Sequence, residues 1–176
     1  MVNLKTTRSA WIDAAVALLT DEGVEAVGAE ALARRLGVSK GGFYGYFGDR
    51  ARFLAELLST WEHAATDGIV TRVGVDGDPR ERVRELARAL RSEEPSILSV
   101  QTEVAIRDWA RRDPGVQAAV QRVQVAQAAF LHALFRQYCT EREARYRTVV
   151  AMSVRLSTHF LPDEESVDLV VAELLR

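Results

Sequence analysis

Cys139 and His132 are the residue types of a nucleophile and its base, and a spacing of seven would put them on one face of one helix. A rise of about 1.5 Å per residue separates them by roughly two turns, too far for a direct proton transfer. Glu56, His63 and Asp67 share a face at helical spacing and are metal-ligand types, but two carboxylates and a histidine on a helix read as a solvated face. Asp76 and Asp78 beside Gly77 resemble the opening of a calcium loop whose later ligands are missing, and read as a plain surface loop. The stretch Ser39–Phe47, SKGGFYGYF, has glycines but lacks the GxxxxGK[ST] spacing of a phosphate loop, and it follows a helical pattern instead of a strand. The expectation is therefore no enzyme, no metal and no cofactor. What remains is Lys40 and two tyrosines among three glycines.

Charge directs attention to the same place. The 176 residues carry 23 basic and 25 acidic side chains, a formal net charge of -2, so the whole molecule is no polyanion binder. From Arg34 to Arg52, however, Arg34, Arg35, Lys40, Arg50 and Arg52 face Asp49 alone, a local net of +4. The single Cys139 cannot form an intramolecular disulfide, which fits a reducing cytoplasm. The apolar run AWIDAAVALL is interrupted by Asp13 and is too short for a membrane span, so it reads as a soluble amphipathic helix. At 48% hydrophobic content the chain can bury a real core.

The elements that must position these residues are all helical, since apolar residues recur at helical spacing and no pair of alternating strands is seen. The pattern predicts helices from about Thr6 to Asp21, Ala29 to Leu36 and Lys40 to Phe47, with a longer fourth helix from near Arg50. Gly23 stops the first, Gly37 and Val38 turn the chain after the second, and Ser39 is placed to accept from a free N–H of the third. Val73–Pro79 is the clearest internal boundary, and Pro95 and Pro114 divide the helices that follow. Long helices are predicted over Gly115–Tyr138 and about Glu141–Phe160, then a turn at Leu161-Pro162-Asp163 and a last helix to Arg176.

Two short helices joined by a glycine turn form a helix-turn-helix pattern, whose second helix enters the DNA major groove. Glycine costs roughly 1 kcal/mol relative to alanine inside a helix, so Gly41, Gly42 and Gly45 disfavour the third helix unless packing holds it. Phe43 and Phe47, four apart, supply that packing, and the glycines leave a low outer surface where backbone can approach backbone. Lys40 in the first turn opposes the helix dipole, a conflict that an external phosphate would relieve. Tyr44 has two readings, a DNA-facing ring or a core aromatic with a satisfied hydroxyl. Arg34 is expected to pair with Glu30, four residues earlier.

From Arg8 to Leu54 the chain resembles the TetR family of bacterial transcriptional regulators. The pattern runs through Arg8, Ile12, Ala14 and Ala15, then Gly23, Leu32, Ala33, Gly37-Val38-Ser39-Lys40-Gly41, Tyr44 and Phe47. Gly28 stands where the family usually has Ser or Thr, and Arg50 where it usually has Lys. Gly42 and Gly45 stand where family members often carry a DNA-touching side chain. The resemblance implies a three-helix DNA-binding head (1–50) on a ligand-binding and dimerisation body (51–176). It implies DNA contacts from Thr6, Thr7, Ser39, Lys40, Gly41, Gly42, Tyr44, Tyr46 and Arg50. It further implies a homodimer that binds a palindromic operator, represses, and answers a small-molecule effector in the cytoplasm, with no membrane partner. In the body, Trp61, Trp109, Phe130 and His132 are candidate pocket residues, while Trp61, Trp109 and Phe130 also read as ordinary core. For dimerisation the candidates are Tyr146, Val149, Val150, Ser153 and Leu156 on one helix and Val167, Val170, Val171 and Leu174 on the next; both stripes also fit their own core.

Overall fold

The computed structural model describes residues 6–74, 76–89, 96–157 and 164–176, except the side chains at positions 89, 157, 164, 166 and 167. Lys5, Pro95 and the turn expected at Leu161-Pro162-Asp163 lie outside the described residues. The described residues are helical without a strand: α1 (Arg8–Glu22), α2 (Ala29–Leu36), α3 (Lys40–Phe47), α4 (Arg50–His63), α5 (Ile69–Val73), α6 (Pro79–Ala89), α7 (Val100–Ala110), α8 (Pro114–Phe135), α9 (Glu141–Ser157) and α10 (Glu164–Leu174). A 3-10 turn at Val24–Ala26 follows α1, and a wide π turn at Ala64–Gly68 joins α4 to α5. No helix among the described residues is long and apolar enough to cross a membrane.

The helix ends have local causes. Thr7 accepts from Ala10 N at 3.2 Å and starts α1; Asp49 accepts from Arg52 N at 2.8 Å and starts α4. Gly37 takes the left-handed conformation, φ 66° and ψ 30°, that an L side chain would resist, so α2 can stop and α3 begin three residues later. Asp113 accepts from Gly115 N and Val116 N, and Pro114 opens α8 where its missing N–H costs nothing. Ser39 departs from expectation: it precedes α3 with extended backbone, but its hydroxyl takes no N–H of the helix.

An aromatic cluster holds the first helices together. Phe43 is fully buried, with Trp11 of α1 edge-on at 5.7 Å, Phe47 at 5.3 Å and Phe53 of α4 at 5.1 Å between ring centroids. Phe47 and Phe53 meet at 4.7 Å. This packing offsets the helix-breaking cost of three glycines in α3. It also runs through residue 50 into Phe53, Leu54 and Leu57, so α4 serves the head's core as well as the body's.

Farther along, α4 joins the body. Arg122 of α8 grips Glu62 through Nε at 2.6 Å and Nη2 at 2.8 Å, and Gln127 donates to the Ala65 carbonyl at 3.0 Å within the π turn. Glu103, buried in α7, takes Arg107 at 2.7 Å and Arg155 of α9 at 3.0 Å. The Arg122 bond holds the Glu62 carboxyl below its usual value of 4.5, against the opposing effect of partial burial. A depressed folded pKa contributes stability that is present above that usual value and lost as pH falls through the folded one. Denaturant unfolding from pH 6 to pH 3 should therefore show a decline that Glu62→Gln makes shallower; an unchanged slope would mean the pair contributes nothing.

Candidate nucleic-acid interface

The exposed side of α3 is built by subtraction. An added Cβ at Gly45 would meet nothing within 4 Å, and one at Gly41 only the neighbouring Ser39 hydroxyl at 3.8 Å. Gly42 differs: its Cβ would touch Trp11 at 3.4 Å, so that glycine stands beside α1. Tyr44 is 51% exposed with its ring edge-on to Phe43 at 5.5 Å, so it is no buried core aromatic. Ser39 and Lys40 are exposed at the helix start. Backbone N–H groups, one cation and one phenol thus share a low surface, the chemistry that meets a phosphate or a base edge.

Several side chains of the positive window have local partners. Lys40 donates to Glu30 at 3.1 Å, and that bond raises its pKa above the ordinary lysine value. Glu30 was expected to take Arg34; the crossing of α2 and α3 brings Lys40 to it instead. Arg35 lies 3.6 Å from Asp21 and Arg52 3.5 Å from Asp49. Exposed pairs of this kind contribute little net stability, so exchange of Glu30 for a phosphate costs Lys40 little.

Arg50 and Tyr46 serve the fold directly. Arg50 donates to the carbonyls of Val27 and Val24, both at 2.7 Å, fastening the start of α4 to the turn after α1. Tyr46, 36% exposed, gives its hydroxyl proton to the Thr6 carbonyl at 2.7 Å. Thr7 spends its hydroxyl oxygen on capping α1. Sequence spacing did not bring out Arg8: Nε and Nη2 bind both Glu56 oxygens, and Nη1 donates to the Tyr46 carbonyl at 3.1 Å. Arg8 and Glu56 are 48 positions apart, and no periodicity pairs them.

The other candidate groups separate. Glu56 is held by Arg8, while His63 Nδ1 lies 3.4 Å from Asp67, and among the described residues no three His, Cys, Asp or Glu gather as metal ligands. Because α8 ends at Phe135, Cys139 falls in the following turn, off the helix it was expected to share with His132. His132 Nε2 sits 3.3 Å from a Glu141 oxygen without hydrogen-bond geometry. Trp61 and Trp109 are 2% and 8% exposed members of the core, and Phe130 packs against it half-buried. These four candidate pocket residues do not line the groove of about 480 Å³ between α6 and α10, whose walls include Arg84, Arg88, Val171 and Leu175.

On α9, Tyr146 and Val149 are 68% and 65% exposed and Ser153 is exposed, whereas Val150 and Leu156 are half-buried. On α10, Val170 and Val171 are half-buried and the side chain of Val167 lies outside the described residues. Leu174 is buried within its own chain, and Tyr138 and Arg147 donate to its carbonyl at 3.3 and 2.6 Å. Leu169, 66% exposed, is an outward apolar residue of α10 that the expected stripe omitted.

The described residues thus form a helix-turn-helix head followed by a helical body. Residues 12–57 match the family model described as bacterial regulatory proteins, tetR family. No curated protein matches the chain. Among solved structures, a transcriptional regulator from Rhodococcus sp. Rha1 is similar at 18% identity and TM-score 0.70, covering 95% of this chain and 92% of that one. NemR of E. coli in its reduced form matches at 18% identity and TM-score 0.70, covering 95% of both chains. The multidrug binding protein EbrR, complexed with imidazole, matches at 18% identity and TM-score 0.55, covering 96% of this chain and 94% of that one. At such identities these likenesses establish the fold.

Proposed function

We infer that this chain is a transcription repressor of the cytoplasm that binds a palindromic operator as a homodimer and releases it when a small-molecule effector binds the body. The observation that carries this reading is the outer face of α3, where Lys40 and Tyr44 stand exposed beside Gly41 and Gly45 on a helix fixed from behind by Phe43 and Phe47. With few side chains for base contacts, one head reads DNA weakly. Two heads on half-sites roughly 34 to 36 Å apart add their contacts, which favours a dimer through the exposed apolar residues of α9 and α10. An effector acts by preferring one head spacing over another, and α4, packed into both head and body, is the element that changes it. EbrR's bound imidazole supports an effector of small-molecule size.

The test is selection of duplexes from a random-sequence DNA pool, followed by a salt titration of the best duplex. Enrichment of an inverted repeat, with affinity falling steeply as salt rises, is the expected result. A pool without enrichment contradicts the reading. Lys40→Ala should leave the fold and dimer intact, weaken binding, and lower the slope of log affinity against log salt by about two, one for each head of the dimer. An unchanged slope removes Lys40 from the phosphate contacts.

A further inference from the structure

We propose that Arg8 is a positioning residue which couples the direction of α4 to the direction of α3, so that the Arg8–Glu56 pair sets how the DNA-reading face is presented. This rests on the regulator reading. One guanidinium of α1 touches three places: both carboxylate oxygens of Glu56 in the second turn of α4, the Tyr46 carbonyl in the last turn of α3 at 3.1 Å, and the Phe47 ring, whose centroid lies 4.8 Å from the guanidinium carbon. Tyr46 returns a bond from its hydroxyl to the Thr6 carbonyl at 2.7 Å, so the end of α3 is tied to the start of α1 twice.

Apolar packing supplies further contacts among these helices, among them Trp11 on Phe43, and Phe53 on Phe43 and Phe47. Apolar packing resists separation but permits rotation better than a forked, charge-assisted bond does. Arg8 therefore supplies a directional link from the C-terminal end of α3 to α4, beside the Tyr46–Thr6 bond that ties α3 to α1. Glu56 lies on the helix whose far end is held to the body by Glu62 and Arg122, so a turn of α4 moves Glu56, Arg8 and the Tyr46 carbonyl together. The pair is partly exposed, with side chains 51% and 31% accessible, so its contribution to stability is small and its contribution to geometry is what a variant should reveal.

The test uses the full chain and a duplex it has selected from the random pool. Glu56→Gln removes a negative charge from the DNA-binding head, so charge alone predicts tighter binding. Positioning predicts the opposite: affinity for the selected duplex falls about tenfold, the loss expected when a charge-assisted bond is broken. Affinity for an unselected duplex should not fall, and the ratio between the two should shrink. Glu56→Asp keeps the charge but draws the carboxylate back by one methylene, and it should weaken selected binding as well. Melting curves establish that the variants are folded at the assay temperature, and Glu56→Asp decides the matter if Glu56→Gln is not. Unchanged or tighter binding of the selected duplex by the folded variant overturns the proposal. A pool that yields no enriched sequence defeats the regulator reading itself, a different failure.

Discussion

Phe43→Ala should unfold the head. Phe43 is fully buried at the junction of α1, α3 and α4, in contact with Trp11, Phe47 and Phe53, and its removal leaves a cavity that three rings cannot fill together. Truncation of a buried phenylalanine costs about 3–5 kcal/mol, a large share of the roughly 5–15 kcal/mol that stabilises a domain. The effect is concentrated because α3 has no compensating helix propensity: Gly41, Gly42 and Gly45 disfavour it by about 1 kcal/mol each relative to alanine. A thermal melt should show the transition falling by about 10 °C or more, with DNA binding lost over the same range. A shift within about 2 °C would mean that the aromatic cluster does not hold the reading helix.

Val149→Glu should convert the protein to a monomer while sparing its fold. Val149 is 65% exposed on α9, so glutamate is solvated there in a lone chain. In the proposed dimer the same side chain is covered by a partner, and an unpaired carboxylate at a buried position costs far more than the valine contact returned. Tyr146, nearly one turn earlier and 68% exposed, lies on the same outward surface. Sedimentation should show half the mass, and affinity for a two-half-site operator should fall on the order of a hundredfold, because the second head no longer binds as a tethered group. A dimer that survives the substitution would locate the contact elsewhere.

Much of the head was legible because its signals are local. The expected bounds of α2 and α3 coincide with the observed ones, since Gly37 supplies the left-handed turn between them and Gly48, at φ 78°, ends the second. The spacing of Phe43 and Phe47 gave the buried face of α3, while Tyr44 stayed open between an outward ring and a core aromatic until its exposure was seen. Where distant residues meet, spacing carried less. Nothing local told that Lys40 would take Glu30 from Arg34, that Arg50 would close on Val24 and Val27, or that Arg8 would reach Glu56. The π turn at Ala64–Gly68 interrupts α4 without a proline to announce it. In the body, Leu174 fits either face of an amphipathic stripe, and only the packing of distant helices puts it in the chain's own core.

The most direct measurement of the central claim is an amide NMR titration of the folded protein with its selected duplex. The largest shifts should fall at Lys40, Gly41, Tyr44 and Gly45, with smaller ones near Thr7 at the start of α1. Shifts confined to the body helices, with α3 unmoved at saturating duplex, would contradict that claim.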